Sequence, residues 1–118
     1  MQMFRFLEWS VYKESKKLFK IVYNFVDKLP DKVRFDLGRH MLRAAFSVIL
    51  NIAEGSGKSS DKELNRYFDI SIGSLNETVA AADVLKDNNL ISDEVFDLVK
   101  EKAESISKQL GGFKKTLL

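Results

Sequence analysis

The sequence contains no cysteine, only one histidine and only one proline in 118 residues. The absence of cysteine excludes disulfides, thiolate nucleophiles and cysteine-ligated zinc or iron-sulfur clusters. One histidine leaves little material for a catalytic relay or a metal site with several histidines. No apolar run approaches the roughly 18 to 20 residues of a membrane span, and the first residues lack the layout of a signal peptide. We therefore expect a cytoplasmic protein without a metal or a cofactor.

Composition and charge indicate one folded domain over residues 1–118. Apolar residues make up 45% of the chain and charged residues 31%, enough to bury a core and remain soluble. The net charge of +2 hides an asymmetry, because residues 1–58 carry 11 basic and 6 acidic side chains and residues 59–118 carry 8 and 11. Such a split favours either a basic face for polyanions or attraction between the two halves, within the fold or across subunits.

Three breaks divide the chain into four segments with helical periodicity. They fall at Leu29-Pro30-Asp31, at Gly55-Ser56-Gly57 and at Asn88-Asn89. Because the connections are short, neighbouring helices run antiparallel, which predicts an all-α, up-and-down four-helix bundle.

Helix ends follow from capping residues. Gly55 is expected to end the second helix, and Ser60 and Ser92 to cap the third and fourth. Gly111 and Gly112 are expected to end or fray the last helix.

The first helix has two apolar stripes. The core stripe comprises Leu7, Val11, Leu18, Val22, Phe25 and Leu29. A lone bundle needs only this stripe, so the second, largely aromatic stripe predicts an oligomer interface formed by Tyr12, Phe19, Tyr23 and Val26. A broad core face with a few exposed aromatics remains the alternative.

The second segment, from about residue 32 to residue 54, is apolar almost all round, which predicts the most buried helix. Its apolar residues include Leu37, Met41, Ala45, Phe46, Val48, Leu50 and Ile52. Polar residues recur on this segment at three- and four-residue steps, and a similar line of polar residues lies on the third helix. If the two helices run antiparallel about the turn near Gly57, residues that face each other have numbers that add to about 115. We expect a structural polar zipper of Arg43, Ser47, Asn51, Glu54, Glu63, Tyr67, Ser74 and Glu77. An active site of Arg43, Glu63 and Glu77 is the functional alternative.

Two further motifs lack the spacing that their chemistry needs. The glycine-rich loop around Lys58 has Ile52 where a Walker loop requires glycine, although weak anion binding beside the third helix remains open. His40 follows Gly38 and Arg39, so it does not form the Glu-x-x-His pair of di-iron bundles.

Cations recur at helical spacing on the first helix and continue past the first turn. They form a candidate nucleic-acid-binding surface of Lys13, Lys16, Lys17, Lys20 and Arg34. An ordinary solvated face is the alternative.

Residues 42–55, which read LRAAFSVILNIAEG, resemble a family signature of Arg-Ala-Ala, Ser and Asn-Ile-Ala-Glu-Gly. Further matches are Leu29-Pro30, Tyr67-Phe68, Gly73-Ser74-Leu75 and Glu77. The chain thereby resembles the four-helix-bundle proteins encoded in intervening sequences of bacterial large-subunit ribosomal RNA genes. It is also similar to the accessory variability protein of diversity-generating retroelements.

This resemblance implies a homopentameric ring without known catalysis. For the retroelement relatives it implies binding of nucleic acid and of a reverse transcriptase through a basic surface. The leading hypothesis is a nonenzymatic oligomeric scaffold that binds RNA or DNA electrostatically. The alternatives are a protein-interaction module, such as a reverse transcriptase accessory subunit, and, third, an enzyme.

Overall fold

The computed structural model describes residues 3–117, in which every regular element is helical. The chain runs through a 3-10 helix (Arg5–Glu8), α1 (Ser10–Val26), α2 (Asp31–Val33), a π-helix (Arg34–Gly38), α3 (Arg39–Ser56), α4 (Asp61–Asp87) and α5 (Asp93–Lys115). The four long helices α1, α3, α4 and α5 occupy the four segments predicted from the sequence. No helix in this part of the chain has the length and apolar character needed to cross a membrane.

The four long helices form a closed bundle of 45 × 22 × 20 Å. α1 packs between α3 and α5, and α4 packs between the same two helices on the opposite side. The order around the bundle is therefore α1, α3, α4, α5, which is the arrangement that short antiparallel connections favour.

The predicted serine caps are confirmed. Ser60 Oγ accepts a hydrogen bond from the Glu63 backbone N–H at 3.2 Å, and Ser92 Oγ accepts one from the Val95 N–H at 3.1 Å. The prediction for the C-terminal glycines is wrong, because α5 continues through both of them to Lys115. Core contacts such as that of Phe113 with Trp9, whose ring centroids lie 4.8 Å apart, hold this last turn in place.

The core stripe of α1 is confirmed except at its first residue. Val11, Leu18, Val22, Phe25 and Leu29 are buried. Leu7 is exposed because it belongs to the preceding 3-10 helix, which turns its side chain away from the bundle.

As predicted, α3 has the largest buried share of the four long helices, with eight of its 18 residues buried, but it is not buried on all sides. Met41, Val48 and Ile52 face the core, whereas Phe46 and Leu50 are 48% and 49% exposed on the opposite side of α3. Among the long helices of the described residues, only α1 and α4 pack on α3, and the 3-10 helix reaches it near Ser56, so the middle of its outward side has no cover.

A π-helical turn, which periodicity did not predict, separates α2 from α3. A π turn inserts one extra residue, so the residues around it are rotated relative to a regular helix. Phe35 and Leu37 are exposed there, while Gly38 is buried against α1. A methyl group on Gly38 would meet Val26 Cγ1 at 2.9 Å, so this glycine permits the close contact between α3 and the end of α1.

Gly55 has a different role from the predicted one. It lies inside α3 rather than at its end, and its φ is not positive. A Cβ at this position would lie 2.8 Å from Tyr67 Cβ and 3.1 Å from Leu64 Cδ1. The glycine therefore allows α3 and α4 to approach each other closely near their connecting turn.

Gly55→Ala should lower the free energy of unfolding by about 1 to 2 kcal/mol, because the overlap with Tyr67 Cβ outweighs the gain in helix propensity. Gly73→Ala is the matched control, since no atom lies within 4 Å of a Cβ there. That control should raise stability by about 0.5 to 1 kcal/mol through propensity alone. Urea denaturation measures both, and equal effects of the two variants would contradict the proposed close contact.

Candidate nucleic-acid and subunit interfaces

The predicted basic stripe divides into two parts on α1. Lys13 and Lys17 turn toward acidic neighbours, with Lys13 Nζ 3.9 Å from Glu8 Oε2 and Lys17 Nζ 3.0 Å from Glu14 Oε2. Intrachain carboxylates thus compensate half of the four lysines, which reduces the positive charge that this surface offers to phosphates.

Lys16 and Lys20 lie among aromatic side chains. Lys16 Nζ is 5.0 Å from the centre of the Tyr12 ring, a cation–π distance. Both lysines line an open groove of about 420 Å³ between α1 and α3, together with Tyr12, Phe19, Tyr23, Phe46 and Ile49. The predicted nucleic-acid surface and the predicted oligomer interface therefore overlap in space.

Arg34 lies in the π-helix, near the opposite end of α1 from Lys13. Its Nη2 donates a hydrogen bond to Asp31 Oδ1 at 2.8 Å, and its guanidinium lies 5.1 Å from the Phe35 ring centre. Arg34 is thus distant from Lys13, but it lines a small groove of about 160 Å³ together with Tyr23 and so adjoins the aromatic side chains of α1.

Of the four residues predicted to form the oligomer interface, the aromatic residues Tyr12, Phe19 and Tyr23 are accessible on the monomer, and Val26 is not. Phe19 and Tyr23 stack with ring centroids 6.1 Å apart, and Tyr23 is 56% exposed. Val26 is wrong as an interface residue, since its side chain is buried in the core beneath Gly38.

The structure adds α3 residues to this surface. The Phe46 ring lies 5.7 Å from that of Phe19, and Leu50 lies one turn further along the same outward side of α3. We call the surface of Tyr12, Phe19, Tyr23, Phe46 and Leu50 the aromatic face. Sequence reasoning missed the α3 members because a segment that is apolar all round gives no indication of which side a neighbouring helix covers.

The polar zipper forms only at its centre. Ser74 Oγ donates to Ser47 Oγ at 2.8 Å, and Asn51 Nδ2 donates to the same hydroxyl at 3.0 Å. Next to them, Ser71 Oγ donates to the Val48 carbonyl at 3.0 Å. These pairs set the α3–α4 register with residue numbers that sum to about 120, one turn away from the predicted sum.

The charged members of the zipper are not buried, which corrects that part of the prediction. Arg43, Glu54 and Glu77 are exposed because they flank the helix contact instead of facing it. Glu54 pairs with Lys58 at 3.4 Å, and Glu63 pairs with Arg66 at 3.1 Å on its own helix.

The Tyr67 ring does not bond to Asn51. Instead, two cations lie over the ring. Lys58 Nζ, from the turn before α4, is 5.3 Å from the ring centre, and Arg66 Cζ of α4 is 4.6 Å from it.

The alternative active site is not assembled. Glu63 and Glu77 are fourteen residues apart on one straight helix, which separates them by about 21 Å. Residues 3–117 contain no group of three or more His, Asp or Glu side chains placed to hold a metal ion.

One ion pair links the predicted stripe to α5. Lys102 Nζ donates to Glu14 Oε1 at 3.0 Å, and the Glu14 side chain is only 18% exposed. The hydrogen bond from Lys102, and then that from Lys17, lowers the pKa of Glu14 below its ordinary value of 4.5. Glu14 therefore stabilises the fold above pH 4.5, and this stabilisation is lost as the pH falls through the lower pKa of the folded state.

Glu14→Gln should lower the free energy of unfolding at neutral pH by about 0.5 to 1 kcal/mol. The difference from the parent should shrink as the pH falls through the lowered pKa of Glu14, and it should vanish once Glu14 is protonated in the parent as well. Glu101→Gln on α5 is the control, because Glu101 is exposed and has no ion pair within the described residues. Denaturation at several pH values tests this, and a difference that persists in acid would contradict it.

Comparisons with known proteins agree with the fold. The sequence model of the 23S rRNA-intervening sequence protein family matches residues 8–112. A crystal structure of a protein with unknown function from the S23 ribosomal protein family of Bacteroides thetaiotaomicron VPI-5482 superposes with a TM-score of 0.82. The two chains are 22% identical, and the match covers 89% of this chain and 95% of that one. Among curated proteins no sequence matches. With the family model covering most of the chain, the protein belongs to the 23S rRNA-intervening sequence protein family.

Proposed function

We propose that the protein is a nonenzymatic oligomeric scaffold that binds RNA or DNA through electrostatic contacts with the phosphate backbone. The observation that carries the proposal is the aromatic face, which leaves Tyr23, Phe46 and Leu50 about half exposed on adjoining helices. A contiguous apolar patch of this kind marks an interaction surface in a soluble protein. Its aromatic composition is typical of the centre of a protein interface.

A second surface of the chain complements the aromatic face. A groove of about 330 Å³ between α3 and α4 is lined by Leu37, Val84 and the small residues Ala80 and Ala81, with Glu77 at its edge. Lys16 and Lys20, which lie within the aromatic face, have opposite charge to Glu77. Contact between these two different surfaces joins copies head to tail.

The positions of the two surfaces favour a ring. They lie on adjacent sides of the bundle, on either side of α3. Each contact between copies therefore rotates the next copy relative to the one before it. Head-to-tail contacts form a ring when the rotation between copies closes and a helical filament when it does not, and we propose that this contact closes. The proposed subunit number of five comes from the family resemblance.

Tyr23→Lys and Phe46→Lys should each dissociate the oligomer while leaving helix content unchanged, because both side chains are outside the monomer core. Leu98→Lys is the matched control, since Leu98 is 52% exposed on α5, away from both surfaces. Sedimentation equilibrium measures the mass of each variant. A parent protein that is monomeric at micromolar concentration would refute the proposed assembly.

Backbone-directed binding of nucleic acid should depend steeply on salt. The logarithm of the affinity is expected to fall linearly with the logarithm of the salt concentration, by about 0.9 for each phosphate contacted in a duplex. Filter binding of an RNA duplex of arbitrary sequence at several salt concentrations measures this slope. The absence of binding to any nucleic acid at about 50 mM salt would favour the alternative, a protein-interaction module such as a reverse transcriptase accessory subunit.

A further inference from the structure

Charge is distributed unevenly along the long axis of the bundle. One end brings together residues 3–13, 54–69 and 108–117, which contain eight Lys or Arg and five Asp or Glu. We call it the basic end. The opposite end, formed by residues 24–40 and 82–98, contains five Lys or Arg and eight Asp or Glu.

Contacts among the described residues show that the three parts of the basic end meet. Arg5 Nε donates to the Ser56 carbonyl at 3.2 Å, which joins the N-terminal segment to the end of α3. Trp9 packs on Phe113 of α5, and Lys114 of α5 pairs with Asp69 of α4. The three parts therefore form one end of the bundle. Its cations that have no ion pair among the described residues are Arg5, Lys62, Lys108 and Lys115.

An open pocket of about 780 Å³ lies at this end, between the N-terminal segment and the last turns of α3. Met3, Phe4 and Leu50 give it apolar walls, and Asn51 and Glu54 add polar groups. Arg5 lines it, and Lys58 follows directly after its lining residue Gly57. The pocket thus combines apolar walls with Arg5 and with the ion pair of Glu54 and Lys58.

Phe4 is held outward at the mouth of this pocket. Its backbone is left-handed, with φ 57° and ψ 38°, a conformation that bulky residues rarely adopt. The side chain is 62% exposed although it is aromatic. An exposed aromatic ring is a surface on which unpaired nucleic-acid bases stack.

We infer that the basic end binds single-stranded nucleic acid, with the phosphates on its lysines and arginines and an unpaired base stacked on Phe4 in the pocket. The inference rests on the proposed function, which includes nucleic-acid binding. It places the binding site at the end of the bundle instead of on the lysine stripe of α1. A duplex keeps its bases stacked on one another, so it gains only the phosphate contacts.

The first test removes the same amount of charge from either end of the bundle. A variant with Lys58→Gln, Lys62→Gln and Lys115→Gln loses three cations from the basic end. A control with Lys28→Gln, Lys32→Gln and Arg39→Gln loses three from the opposite end, so both variants have the same net charge. Fluorescence anisotropy with labelled single strands of about 20 nucleotides, one of RNA and one of DNA, measures their affinity at several salt concentrations.

The basic-end variant should bind at least about tenfold more weakly at low salt, with a salt slope reduced by about 0.7 for each phosphate of the single strand that it no longer neutralises. The control variant should stay within about threefold of the parent. Equal losses of affinity in the two variants would overturn the inference while leaving nucleic-acid binding intact. A parent that binds neither strand, nor the RNA duplex, would reject the proposed function as well. Comparing the affinity for the RNA strand with that for the DNA strand shows whether the protein distinguishes ribose from deoxyribose.

The second test separates base stacking from charge. Phe4→Ala should weaken binding of either single strand about tenfold and leave binding of heparin, a polyanion without bases, unchanged. Phe4→Trp, which restores a stacking surface, should recover the affinity. Unchanged single-strand binding by Phe4→Ala, or a duplex bound as tightly as the single strand by the parent, would contradict the pocket's role. Circular dichroism and sedimentation check that each variant retains the parent's fold and assembly.

Discussion

The close contact between α3 and α4 determines how the rest of the molecule is arranged. Gly55 removes the side chain that would otherwise meet Tyr67, and the hydroxyls of Ser47, Ser71 and Ser74 bond across the same contact. Small residues on both helices bring the backbones together, and their hydrogen bonds permit one register. Because this side of α3 must face α4, the opposite side, with Phe46 and Leu50, necessarily faces away from the core.

The sequence alone could predict the elements but not which side of each helix is covered. The breaks at Pro30 and Asn88, the caps at Ser60 and Ser92 and the core stripe of α1 are local signals. Each is confirmed, except that Leu7 at the start of the stripe is exposed. In contrast, on a helix that is apolar almost all round, the spacing of apolar residues does not show which of them face the core. The sequence therefore predicts that Phe46 is buried, although it faces outward. Arg43 is misplaced for a related reason, because the spacing of polar residues along α3 does not show whether a residue faces α4 or flanks the contact.

The charge asymmetry along the sequence does not survive as an asymmetry between two halves of the fold. Antiparallel packing places the start of α1 beside the start of α4 and the end of α5, so both halves of the chain contribute to the basic end. The acidic excess instead collects around the α4–α5 turn, with Asp83, Asp87, Asp93 and Glu94. Counting charges by position in the chain therefore could not locate the surface where cations outnumber acids.

Assembly through the sides of the bundle and binding at its end are compatible, because the aromatic face and the pocket share only Leu50. In the proposed ring, copies related by rotation about an axis roughly parallel to the helices present all their basic ends on one side. Each copy then contributes only a modest excess of charge, yet a bound strand contacts several copies at once, which raises the effective affinity without any new contact within a subunit. In the proposed ring, assembly through the aromatic face would place several weakly cationic basic ends side by side, so that together they form a multivalent surface.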